Sequence, residues 1–149
     1  MRQQVLAAFF AGAASAAELA TDLAGAEERV SNIESLIKIK DMQSELVVTR
    51  EMALRLCDAV LGNELPPTAL ATLGFALLAS DYFVWDGDDV LGEIIADWSC
   101  PEVNYALNLE NVRRCRAWLA GEEAYPGRSN AVPPPGSRVV SIRRKRGLR

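Results

Sequence analysis

Residues 69–79 read ALATLGFALLA, a stretch with no charge and with Thr72 as its one polar side chain. A helix of that composition has no polar face to turn toward water, so it belongs at the centre of a helical assembly with neighbours around it. Pro66-Pro67 just ahead suit its first turn, where a missing backbone N–H costs nothing. The rest of the chain supplies the neighbours. Its 149 residues are half apolar, enough for one buried core. Aromatic residues are only 7%, while Ala and Leu abound, which favours helix over strand. No run of apolar residues is long enough to cross a bilayer, so no membrane partner is expected. The prediction is an all-α fold: a single helical bundle of five to six helices over residues 1–121, with a flexible basic C-terminal tail.

Start and stop signals divide the bundle. Residues 3–11 predict a short first helix with Leu6, Phe9 and Phe10 inward, ended by Gly12. Ser15-Ala16-Ala17-Glu18 has the spacing of a capping box, opening a second helix that runs to about Arg29 with Leu19, Leu23 and Ala26 on one side. The same N-terminal stretch also fits a signal peptide, with Ala14-Ser15-Ala16 as cleavage site. The polar Gln3 and Gln4, and a helix start lying across that cleavage point, favour a cytoplasmic chain. Residues 31–48 are compatible with helix, short strands or an ordered loop. Thr49 is a good cap for a third helix over 50–61, with Met52, Leu56 and Val60 as its stripe and Ala53, Cys57 and Leu61 beside it. Asp88 or Asp89 caps a fifth helix reaching Trp98, and Asn108 caps the last, from Leu109 to Ala120, closed by Gly121. Residues 122–137, with Pro133-Pro134-Pro135 and Gly136, read as a linker. Residues 138–149 are the basic tail.

Chemistry is constrained mainly by what the sequence lacks. It has no histidine, which removes the commonest general base and every Cys/His zinc set. Three cysteines, Cys57, Cys100 and Cys115, are odd in number and show no paired spacing, so they read as reduced thiols. No lysine lies between Lys40 and Lys145. Asp86-Gly87-Asp88-Asp89 through Asp97 has the length of a calcium loop, but Leu91 stands where the loop needs its turning glycine and Asp97 where it needs glutamate. The chain is therefore read as a non-enzyme with no metal and no cofactor.

Charge is unevenly placed. Residues 1–127 carry nine Lys/Arg against all twenty acids, a net −11, whereas residues 128–149 carry seven cations and no acid. Between Arg55 and Arg113 no cation occurs, yet ten acids do. On the fifth helix, with Asp89 at zero and ~100° per residue, Glu93 falls near ~40° and Asp97 near ~80°, away from the apolar Leu91, Ile94 and Trp98. Like charges one turn apart cost a helix about 0.2–0.5 kcal/mol per pair, so such a face is tolerated for a reason. One reading pairs these acids with Arg113, Arg114 and Arg116 inside the bundle, or leaves them as a merely solvated face. The other makes them an electrostatic docking face, with Tyr82 and Trp85 as aromatic anchors beside Asp81 and Asp86. The partner-binding residues are then Asp81, Tyr82, Trp85, Asp86, Asp88, Asp89, Glu93 and Asp97, and the partner is a basic protein. The tail lacks interleaved aromatics, so its contacts with nucleic acid would be to phosphate.

Phe9-Phe10-Ala11-Gly12, Ser15-Ala16-Ala17-Glu18-Leu19, and an apolar helix leading into an acid-and-aromatic stretch from Leu77 to Trp98 resemble the colicin D-type immunity proteins. The resemblance spans about residues 5–98. The chain departs from that pattern in residues 31–48, in its last helix and in its tail. What the resemblance implies is a small helical bundle whose acids bind the positively charged RNA-cleaving domain of a bacteriocin and block its active site; by position, the acids from Asp81 to Asp97 would face the toxin. The function expected is an inhibitory protein, immunity- or antitoxin-like, that neutralises a basic nuclease-type toxin. The alternative is an adaptor subunit of a larger assembly whose basic tail contacts nucleic acid.

Overall fold

The computed structural model describes residues 1–29, 35–85 and 87–127, with the backbone alone at 27–29 and 35–36. In chain order the elements are α1 (Gln3–Phe10), α2 (Ala16–Ala24), β1 (Glu27–Arg29), β2 (Ser35–Ile37), β3 (Leu46–Val47), α3 (Arg50–Leu61), α4 (Ala69–Ala79), β4 (Phe83–Val84), α5 (Asp89–Ser99) and α6 (Leu109–Leu119). The all-α reading holds: among the described residues six helices make the body, and two short two-stranded pairings trim it. No helix among the described residues is long and apolar enough to cross a membrane. The tail (138–149) and most of the linker lie outside the described residues.

The helices begin where local chemistry favours them. Ser15 Oγ accepts from the Glu18 amide and Glu18 Oε2 accepts from the Ser15 amide, a complete capping box. Thr49, Asp88 and Asn108 each accept from the amide three residues on, starting α3, α5 and α6. At the other end of α1, Arg55 of α3 donates to the Phe10 carbonyl and lies 5.4 Å above the Phe9 ring, satisfying a helix terminus that has no basic residue of its own.

Two expected boundaries move. The second helix stops at Ala24 rather than Arg29, because Gly25 forms its C-cap and residues 27–29 pair antiparallel with 35–37 instead. The fourth begins at Ala69: the Ala69 and Leu70 amides bond to the Pro66 and Pro67 carbonyls, so the prolines form a turn before the helix. The open question over 31–48 resolves, for its described part, into β2, β3 and ordered loop. β3 pairs with β4 in parallel, Leu46 opposite Phe83 and Val47 opposite Val84, across a crossover made by α3 and α4. Gln3 is fully buried and braces the loop: its amide nitrogen donates to Asp41 and its carbonyl accepts from the Met42 amide.

The core joins Leu6 and Leu19 to Leu56, Val60, Leu70, Leu73, Leu77, Leu91, Ile94, Ile95 and Trp98. α4 and α5 share the largest helix interface, followed by α3 and α6. Their close approach depends on Gly74: a Cβ there would lie 2.9 Å from the Ile95 carbonyl oxygen and 2.9 Å from the Ser99 nitrogen. α4 is central, as its composition demands, but it is not covered all round. Phe75 remains 42% exposed on an open flank.

Candidate functional site

The acids assigned to one face of α5 divide between two environments. Asp89, in the first turn, is exposed, as is Asp81 in the loop before it. Glu93 is half-buried, with Oε2 withdrawn from solvent. Asp97 is 1% exposed, and this corrects the expected outward row of three carboxylates. The cause is a cover the helical period does not reveal. Tyr125, beyond α6, donates its hydroxyl to Asp97 Oδ2 at 2.6 Å and packs edge-on against Trp118, with ring centroids 5.2 Å apart. Tyr105 packs against Trp118 in turn, its ring tilted, with centroids 5.5 Å apart. The charge on Asp97 is felt nearby. Burial first, then Asp97, raises the Tyr105 phenol above its usual range. Burial likewise pushes the Cys115 thiol up to about 11, against the approach of the Trp98 indole and with Asp97 adding to the rise.

Asp88 has two structural duties. Its carboxylate accepts Arg50 Nε at 2.6 Å and Nη2 at 2.9 Å, a two-pronged pair, while also accepting the Leu91 amide at 3.1 Å as the α5 cap. The Arg50 guanidinium holds its carboxyl below the usual range, outweighing partial burial. Two arginines of α6 reach other acids: Arg116 pairs with Asp58 at 2.6 Å and Arg114 with Glu110 at 2.9 Å, one turn apart. Asp86 lies outside the described residues.

What surrounds Asp81 and Asp89 is a mixed patch built by three segments. β3 and β4 are held by the Leu46 amide on the Tyr82 carbonyl and the Val48 amide on the Val84 carbonyl, both 2.7 Å. Along β3 and β4, Phe83 and Val48 point inward, leaving Val47 61% exposed beside the half-buried Val84. Tyr82 and Trp85 flank this strand, both half-buried against the core. Trp85 is seated on α5 at Gly92, where a Cβ would stand 2.7 Å from its indole nitrogen. Glu45 lies exposed at the start of β3. Asp81, Tyr82 and Trp85 thus lie on or beside β4, and Asp89 lies one turn before the Gly92 that seats Trp85. Sequence reasoning missed Val47, Glu45, Gly92 and Arg50. Gly92 carried a usable signal, since an isolated glycine within a helical pattern often marks close packing; Val47 carried none until its pairing partner was known.

Burial pushes the Cys57 thiol far above the usual range, and both Cys57 and Cys115 are protonated at neutral pH, hence poor nucleophiles. Among the described residues no three acids or cysteines are grouped to hold a metal ion. Comparison with family models, with curated proteins and with solved structures finds no match to this chain.

Proposed function

We propose that the chain is a cytoplasmic inhibitory binding protein of the immunity or antitoxin kind, which docks the Val47–Trp85 patch onto a basic nuclease-type toxin domain. The observation that supports this most directly is an exposed valine and two half-buried aromatics bordered by Glu45, Asp81 and Asp89, on a body of net −11. Aromatic anchors provide the desolvated centre that carries most binding energy, while the acids around them speed encounter with a cation-rich surface and disfavour anionic partners. Asp88 contributes by holding the end of α5 in place, and Asp97 serves the fold. Residues 128–149, with seven cations, favour a second reading in which the chain is an adaptor that contacts nucleic acid.

One set of titrations separates the two. Affinity is measured for a panel of basic RNA-cleaving toxin domains, at low and high salt, with the full chain, with Trp85→Ala and with 128–149 deleted. An inhibitor loses at least about tenfold in affinity at high salt and about tenfold or more on Trp85→Ala, and keeps both binding and inhibition without the tail. No binding to any such domain, or binding indifferent to salt and to Trp85, removes the inhibitor reading. Loss of RNA or DNA retention on tail deletion, with toxin domains ignored, selects the adaptor.

A further inference from the structure

Among the described residues β3 and β4 pair only with each other, so each strand has an open edge. The ladder between them uses the Leu46 and Val48 amides, both 2.7 Å from their acceptors, and passes over Val47. Successive residues of an extended chain aim their N–H and C=O to opposite sides, so those of Val47 point away from β4. They meet no backbone partner among the described residues. On the reading that the Val47–Trp85 patch docks a partner protein, we infer that this edge takes up one extended, cationic segment of that partner as a third strand.

The edge lacks the usual protection against such pairing. Sheet edges are ordinarily blunted by lysine, proline or a bulge, and residues 41–49 contain neither lysine nor proline. Val47 is 61% exposed, the most open large apolar side chain among the described residues. A strand laid beside it at a spacing of about 4.8 Å would cover that side chain and satisfy its N–H and C=O together. Charge selects the occupant. Because β3 and β4 run parallel, the exposed Glu45 and Asp81 lie at the same end of the pair. No cation occurs between Lys40 and Arg50, and the Arg50 guanidinium is turned onto Asp88. A second copy would set two bodies of net −11 against each other, which repel. A partner segment with a cation two residues from an apolar one avoids that repulsion. Residues two apart share a face, so its apolar group meets Val47 while its cation meets Glu45. Main-chain bonds then supply affinity, and these two side-chain contacts supply selectivity. The added strand lies across β3 from Tyr82 and Trp85, which stay open to the rest of the same partner.

The test uses the full chain and a blocked heptapeptide with valine at its centre, lysine two positions away on either side and threonine elsewhere. Without peptide, the Val47 amide should exchange its hydrogen about tenfold or more faster than the ladder amides of Leu46 and Val48; with peptide at saturation it should slow about tenfold. Methylating the valine nitrogen of the peptide blocks one of its edges, and methylating the threonine nitrogens blocks the other. One analogue should therefore lose about tenfold in affinity while the other keeps it. Glu45→Lys should weaken the peptide about tenfold, whereas Trp85→Ala leaves it within about twofold. Circular dichroism confirms that both variants are folded. Equal affinities for the two methylated analogues, no Val47 shift up to millimolar peptide, or a Val47 amide unprotected at saturation overturns the proposal. Toxin domains that bind through Trp85 without protecting the Val47 amide also overturn it, and leave the docking role standing. Peptide pairing at Val47 with every toxin domain ignored supports the strand edge and removes the inhibitor reading instead.

Discussion

Asp89 and Asp97 stand two turns apart on one helix, on the same side of it by angle, yet one meets water and the other is 1% exposed. In the first turn of α5 Asp89 is exposed on the side away from the buried Leu91, Asp88 and Asp89 suit a helix N-terminus, and Trp85 lies across Gly92. The last turns are enclosed by α4 on one flank and by α6 with Tyr105, Trp118 and Tyr125 on the other. The helical period states which residues share a side; it does not state what will be laid over that side. Two tryptophans mark the contrast. Trp98 is core, whereas Trp85 is half-buried at the surface.

The largest expected effect tests that pair directly. Trp98→Ala should destabilise the fold by about 3–5 kcal/mol, and Trp85→Ala by less than half of that. Urea unfolding of both variants measures the difference, and equal losses would erase the distinction between the two ends. Next in size is the cover over Asp97. Tyr125→Phe removes a hydroxyl donor from a buried carboxylate and should cost about 1.5–3 kcal/mol, the range for hydrogen bonds to charged groups. A change below a few tenths would mean that residues 122–127 merely rest on the bundle. The smallest effect concerns the exposed end. Arg50→Gln should cost about 1 kcal/mol or less, since the pair with Asp88 is partly solvated. Asp88 titrates below its ordinary 3.8 when folded, so the pair stabilises fully above that value and its contribution is lost as pH falls through the depressed folded one. Wild type and Arg50→Gln should therefore differ by a constant amount from pH 5 to 8 and converge in acid. A difference that grows as pH drops would show that Asp88 acts otherwise.

Much of the fold was legible because it is locally encoded. The Ser15 capping box, the Thr49 and Asn108 caps and the glycines at 12 and 121, which adopt φ of +77° and +73°, act within one turn of themselves. The site was legible in part. Asp81, Tyr82, Trp85 and Asp89 are near neighbours in sequence, so proximity along the chain brought them together. Val47 and Glu45 come from a strand paired in parallel across two helices, and such a pairing leaves little local trace. Asp88 read as a docking acid because its partner Arg50 lies 38 positions away.

The residue order alone determined that this chain is a bundle of helices with a central apolar one, where most of those helices start, and that its negative charge lies in the first 127 positions. Tertiary structure decided which acids reach solvent, which cations meet them, and that α4 keeps an open flank at Phe75. Caps and periodicity act over a few residues and about 5 Å, a range the chain carries in its own covalent order. Exposure and ion pairing depend on what distant segments place nearby, and only packing of the whole chain sets that.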